Sequence, residues 1–430
     1  MPRGRIHDRE IVALALPALG ALAAEPLYLL ADTAIVGHLG TPQLAALALA
    51  ATALGAVTTV FNFLVYGTTS QVARAHGGGD ARRAHELGSQ AVWLGLGLGC
   101  VLAVVTLALA GPAVVVLGRH GHVATLAARY LRISAAGLPA VLLATAGQGY
   151  LRGISSLRRP LVIVIVANLA NLALEVVFVY GLRLGLDGSA AGTVIAQLGM
   201  GAAFGAAVWP LPRPRPRLMR GLARVGIEIA VRTSALYLSF IVASAVLARI
   251  GRASLGAHQI AFQLYNLLAL VLDALAISGQ VLIGRMLGAG DGDGAYEAAR
   301  RLTVLSIGGG VLAGLVLAAL YSPLPHAFTS DPRVIGRLHA IWPLFAAMQP
   351  AAAAVFALDG VLIGAGDTRY LAFAMVLAAI VFYVPLALLA LELHWGIVGV
   401  WAGLLALIVV RLATNVWRFG KRRWIVLGAA

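Results

Sequence analysis

Apolar runs long enough to cross a bilayer recur twelve times along this chain of 430 residues, and that recurrence constrains the fold more than any single motif. They lie near 11–38, 44–73, 88–117, 123–153, 159–182, 188–209, 225–250, 255–284, 298–321, 334–364, 370–391 and 395–417. A transmembrane helix needs about 20 predominantly apolar residues. Only 11% of the residues are charged, where a soluble domain carries roughly 25%, and the mean hydropathy is +0.91. Lipid offers no partner to an exposed backbone amide, so runs of this length must be helices. The expectation is an all-α integral membrane protein with twelve transmembrane helices.

A net charge of +15 would suit a nucleic-acid partner, but its distribution argues otherwise. Basic residues collect at alternate ends of the runs: Arg3, Arg5 and Arg9 before the first, Arg74, Arg82 and Arg83 after the second, and Arg152, Arg158 and Arg159 after the fourth. Arg213, Arg215, Arg217, Arg220 and Arg224 follow the sixth, Arg285, Arg300 and Arg301 the eighth, Arg369 the tenth, and Lys421, Arg422 and Arg423 the last. The intervening loops hold one or two at most, such as Arg119, Arg183 and Arg252. This is the positive-inside pattern of a multi-pass protein of the cytoplasmic membrane with both termini cytoplasmic. Nucleic acid is rejected as a partner; the bilayer takes its place. Cys100 is the single cysteine, so no intrachain disulfide or multi-thiolate metal site is expected. The first run has no cleavage-site pattern and is too long for a signal peptide.

Shifting the sequence against itself by 211 positions superposes Arg74, Gly77, Gly79, Asp80, Ala84 and Glu86 on Arg285, Gly288, Gly290, Asp291, Ala295 and Glu297. Pro139, Gly149, Leu151, Gly153 and Arg158 likewise superpose on Pro350, Gly360, Leu362, Gly364 and Arg369. Each half holds six runs, an even number, so both halves start on the same side of the membrane. The expected architecture is two six-helix lobes related by a pseudo-twofold axis along the membrane normal. The N-terminal lobe covers 1–210 and the C-terminal lobe 222–430, joined by a cytoplasmic linker at 211–221. There, alternating Pro and Arg predict an extended, stiff segment.

Inside the runs, ionisable and amide side chains mark the functional candidates. Asp32 stands mid-run with no Lys or Arg to pair with, between Pro17 and Pro26 on one side and Ile35 on the other. An acid at that depth is neutral, paired or faces water, and each proline invites a kink. Tyr28 and Glu25 share its helical face. Asn168, Asn171 and Glu175 in the fifth run are spaced three and four apart, and Thr193 and Gln197 in the sixth four apart. Asp32, Glu175, Asn171, Asn168 and Thr193 are therefore expected to form one ion-coupling pocket in which two carboxylates hold one proton between them. Cross-helix bonding alone is the competing reading, notably for Thr193 and Gln197. Gln259, Gln263, Asn266, Asp273 and Gln280 form a second polar stripe along the eighth run, and Asp359 is an embedded acid in the tenth. With Tyr28 these are the expected substrate path, a buried interhelical network being the alternative.

Five stretches carry a specific resemblance: ADTAIVGHLG, GQGYLRGISSLRRP and LDGSAAGTVIAQ in the first half, LGAHQIA and FALDGVLIGAGDTR in the second. Together they resemble the multidrug and toxic compound extrusion (MATE) family, its DinF-like branch in particular. The resemblance implies a secondary exporter of small organic, often cationic or amphipathic compounds, driven by a cation gradient and working by rocking-lobe alternating access. Relatives with a cation site in the N-terminal lobe place an Asp in the first span, an Asn and an Asp four apart in the fifth and a Thr in the sixth. Asp32, Asn171, Glu175 and Thr193 fall on those positions. Glu175 is one methylene longer than the usual Asp, and protonation tolerates that change better than ion coordination does. H⁺ is therefore favoured over Na⁺, although the same oxygens could hold Na⁺.

A lipid-linked oligosaccharide flippase of the wider superfamily is the alternative function. It would need clustered intramembrane cations, for which Arg132 and Arg232 are the candidates. An enzyme is not expected: no HExxH or CxxC occurs and no loop is large enough for an active site. Gly77–Asp80 lacks the Lys-Ser/Thr of a phosphate loop. No cofactor and no dedicated metal site are expected, and the chain is read as a monomer.

Overall fold

A computed structural model describes residues 3–116 and 121–428, so Arg119 lies outside the described residues. The helices run α1 Arg3–Gly37, α2 Thr41–Val60, α3 Phe63–Gly77, α4 Ala81–Val116, α5 His122–Ala135, α6 Leu138–Gly153, α7 Arg158–Glu175 and α8 Gly185–Ala207. They continue with α9 Pro216–Ile250, α10 Arg252–Gly288, α11 Gly292–Ala319, α12 Pro323–Phe328, α13 Pro332–Ala347, α14 Gln349–Gly364, α15 Thr368–Val376, α16 Val384–Glu392 and α17 Gly396–Gly420. Short π-helical segments follow α7 at Val176–Gly181 and α15 at Leu377–Tyr383.

Nine of the described helical stretches are long and apolar enough to cross a membrane singly, and two further spans are bent pairs. These pairs are α5 with α6, bent by 53°, and α13 with α14, bent by 50°. Pro139 and Pro350, equivalent in the repeat, stand at the second position of α6 and α14. A proline has no N–H to give to the preceding turn, so the helix stops and restarts there in both halves. The expected run at 44–73 is the twelfth span, interrupted at Phe61–Asn62 between α2 and α3. The chain is thus an all-α membrane protein of twelve spans in two six-helix lobes.

The repeated residues have mechanical explanations. Gly79 and Gly290 take φ of +78° and +80°, a region open to glycine at little cost. The following aspartates cap the next helices: Asp80 Oδ1 accepts from the Arg83 amide, and Asp291 Oδ1 from the Gly294 amide, both at 2.8 Å. Gly149 of α6 lies so close to α3 that a Cβ would come within 2.8 Å of the Val65 carbonyl oxygen. Its counterpart Gly360 of α14 stands against the Ala276 carbonyl oxygen of α10, where a Cβ would sit at 2.2 Å. The same two contacts, 211 positions apart, make the sequence repeat a repeat of packing.

The chain forms two compact units, one of Pro17–Gly226 and the other of Met1–Leu16 with Ile227–Ala430. In the second unit the first turns of α1 are held by ion pairs. Arg301 of α11 grips Asp8 through Nε and Nη2 at 2.6 and 2.7 Å, and Arg285 of α10 pairs with Glu10. A large apolar core there centres on Trp342, Phe345, Tyr383 and Trp401, all almost fully buried.

The extended linker is shorter than the proline pattern predicts. α9 begins at Pro216, because a proline's fixed φ and missing N–H suit the first helical position. The stretch before it is docked: His85 Nε2 contacts the Val208 carbonyl at 2.9 Å, and Trp93 Nε1 donates to the Pro212 carbonyl at 3.0 Å.

Candidate ion-coupling site

Three spans of the first unit bring a polar cluster together. α1 contributes Tyr28 and Asp32 one turn apart, α7 contributes Asn171 and Glu175, and α8 contributes Ser189 and Thr193, again one turn apart. Tyr28 Oη donates to Glu175 Oε1 at 3.2 Å and lies 3.3 Å from Thr193 Oγ1. Thr193 Oγ1 donates to the same carboxyl oxygen at 3.3 Å, and Asn171 Nδ2 donates to Thr193 Oγ1 at 3.5 Å. Ser189 Oγ donates to Asp32 Oδ1 at 3.2 Å. The Asp32 and Glu175 carboxyls face each other within hydrogen-bonding reach. Two carboxyls in that relation repel unless a proton lies between them.

Burial makes this arrangement consequential. Glu175 is fully buried, and Asp32 and Asn171 are each only 4% exposed. Glu175 Oε2 and Asn171 Oδ1 are buried acceptors with no protein donor. Such atoms are costly to leave unmet, so the cluster has acceptor capacity to spare for a proton or another cation. Glu175 is the last residue of α7 before the π-helical Val176–Gly181, a type of irregularity common at functional sites. Gly192 of α8 packs there, with room for a Cβ only 3.3 Å from the Glu175 amide nitrogen. α8 can therefore approach close enough for Thr193 to reach the acid.

Not every expected member joins. Asn168 Nδ2 donates to the Ala24 carbonyl at 3.1 Å, tying α7 to α1 in the turn interrupted by Pro26. Glu25 is exposed, and Gln197 stands against Gly137 at the α5–α6 bend. Tyr130 of α5 and Ser189 belong to the cluster, although sequence spacing did not single them out. Tyr130 is buried in the same cluster as Leu186 and Ala190 of α8, the residues that flank Ser189. Ser189 had a signal, since it lies four residues before Thr193 on the same face. Tyr130 had none.

In the other unit Asp359 sits at the centre of a network of ion pairs and hydrogen bonds. Its Oδ2 accepts from Arg411 Nη2 at 2.6 Å and from Arg232 Nη2, and its Oδ1 accepts from Asn415 Nδ2 at 2.8 Å. Arg411 and Asn415, one turn apart in an apolar stretch of α17, are embedded polar residues that the sequence itself displays. Glu228 of α9 is another, and its Oε2 accepts from Thr368 Oγ1 at 2.5 Å. On α10 the polar stripe changes character along its length: Gln259, Gln263 and Asn266 are exposed, Asp273 half-buried and Gln280 buried. Among the described residues no group of three or more His, Cys, Asp or Glu could hold a metal ion.

The family model described as MatE matches residues 17–177 and 229–389, one copy in each half. Protein DETOXIFICATION 44, chloroplastic, of Arabidopsis thaliana is 31% identical over 98% of this chain and 84% of its own length. DNA damage-inducible protein F of Escherichia coli is 28% identical over 97% and 93%. Among solved structures, the Vibrio cholerae MATE transporter VcmN in its bent form superposes with a TM-score of 0.90 at 22% identity, covering 98% of each chain. The two matched copies coincide with the two packing repeats and span most of the molecule, and the chain belongs to the MatE family of multi-pass membrane transporters, which are not enzymes.

Proposed function

We propose that this protein is a secondary exporter of small organic, often cationic or amphipathic compounds, coupled to inward H⁺ rather than Na⁺ and working by alternating access of its lobes. It would act as a monomer in the cytoplasmic membrane with both termini in the cytoplasm. The observation that carries the coupling reading is the buried contact of Asp32 with Glu175, bounded by Tyr28, Ser189 and Thr193. A proton shared by two carboxyls removes a charge that a low-dielectric site would otherwise oppose. Loading that proton lets α1 move toward less polar surroundings by bending at Pro17 or Pro26, and losing it restores the hydrated state. Ligands bias the two conformations in proportion to their difference in affinity for them. Tyr28, with Gln259, Gln263 and Asn266 on α10, is proposed to meet the substrate.

The flippase alternative draws less support from the structure. Arg232 and Arg411 do meet inside the second unit, but both are bonded to Asp359, which occupies the charge that a pyrophosphate would need.

The deciding experiment is efflux from proteoliposomes at fixed membrane potential, first with a pH step in the absence of Na⁺ and then with a Na⁺ step at constant pH. Proton coupling predicts transport in the first case. Transport that follows only the Na⁺ step would overturn it.

A further inference from the structure

The segment joining the two halves builds a feature that the transport reading does not use. Arg83 of α4 together with Arg215, Arg217 and Arg220 lines a cavity of about 550 Å³, whose remaining wall is Pro214, Pro216 and Leu218. Among the described residues one acid answers these four guanidinium groups: Glu86 pairs with Arg83 at 3.3 Å and also with Arg215. Arg217 and Arg220 are exposed at the rim. The cavity also receives the first turn of the 35-residue α9, whose unpaired N–H groups and dipole favour negative charge.

This geometry is held in place. Gln90 of α4 is fully buried, and its amide bonds the backbone on both sides of Pro214. Its Nε2 donates to the Arg213 carbonyl at 3.1 Å, and its Oε1 accepts from the Arg215 amide at 2.6 Å. With Trp93 on the Pro212 carbonyl, the segment before α9 is fixed against α4, so binding does not first have to order it.

We propose that this cavity binds a phosphate-bearing anion, with Arg217 and Arg220 supplying the free positive charge and Arg83 and Arg215 the walls. Two sources offer that chemistry: the headgroup of an anionic phospholipid and a soluble polyanion such as pyrophosphate. Guanidinium groups match phosphate oxygens in bidentate geometry, and each contact near a charged membrane surface is worth about a fivefold factor in affinity.

The test uses the full chain in a neutral detergent, with native mass spectrometry counting bound phosphatidylglycerol against phosphatidylethanolamine, and with pyrophosphate titrated in parallel. The expected result is saturable retention of one of the two phosphate probes, reduced about tenfold or more in Arg217→Gln/Arg220→Gln. Arg213→Gln removes an equal charge type from the same segment but not from the cavity lining, and should change retention less than about twofold. Retention of phosphatidylglycerol alone identifies the headgroup, and competition by pyrophosphate identifies the free anion. Equal losses in the Arg213 variant, or no selectivity for either anionic probe over zwitterionic phosphatidylethanolamine, would overturn the proposal. Both variants alter exposed residues, and an unchanged elution volume in size-exclusion chromatography confirms that the fold is intact.

Discussion

Tyr28 and Glu175 are 147 positions apart in sequence and 3.2 Å apart in space, with the phenol hydroxyl donating to the carboxyl. That bond joins α1, the helix carrying both Pro17 and Pro26, to the acid at the end of α7. It gives movement of α1 a direct route to the protonation state of the cluster.

Asp32→Asn is expected to reduce pH-driven efflux in proteoliposomes to the level of protein-free vesicles while leaving expression and thermal stability unchanged. The amide keeps the size and can still accept from Ser189, but it cannot share and release a proton. Normal pH-driven transport by this variant would remove Asp32 from the coupling step.

Tyr28→Phe deletes one hydrogen bond to a carboxyl, worth about 1.5–3 kcal/mol when the acceptor is charged. The expected consequence is a shift in the pH midpoint of efflux, since the ionised form of Glu175 loses more of that stabilisation than the protonated form. Ionisation becomes harder, so the midpoint should move to higher pH. A profile superposable on the wild type would show that the bond plays no part in coupling.

Asp359→Ala should destabilise the protein by about 3–5 kcal/mol, because it strips the shared carboxylate from the buried Arg411 and the half-buried Arg232. The measurement is the melting temperature in detergent. Pairing the change with Arg411→Met should recover part of the loss, since one orphaned charge goes with it. An unperturbed melting temperature in the single variant would contradict the buried ion-pair network.

Gly360→Val places a side chain where even a Cβ would come within 2.2 Å of the Ala276 carbonyl oxygen. Overpacking of a tight contact costs about 1–3 kcal/mol, and the loss should be visible as a lower yield and melting temperature. Gly336→Ala, at a helix position with nothing within 4 Å, is the control and should be neutral.

Membrane residence, helix count and repeat were legible in the sequence, because each rests on local or periodic information. Twenty apolar residues cross a bilayer wherever they occur in the chain, and the 211-residue offset matched the residues whose turns, caps and close glycine contacts the structure then displays in both halves. The embedded acids Asp32 and Glu175 could also be picked out, since an acid among apolar neighbours needs no tertiary evidence to be unusual. Which groups meet was decided by tertiary structure alone. Helical spacing could not place Tyr130 in one buried cluster with Leu186 and Ala190 of α8, or turn Asn168 away from the acids onto the Ala24 carbonyl, because those contacts depend on how separate helices are rotated against each other. Asp359 makes the same point: its sequence shows an isolated acid, and only the fold brings Arg232, Arg411 and Asn415 around it. The linker was legible as Pro- and Arg-rich, but its docking on α4 was not, since that rests on one buried glutamine 125 positions from the backbone amide it accepts from.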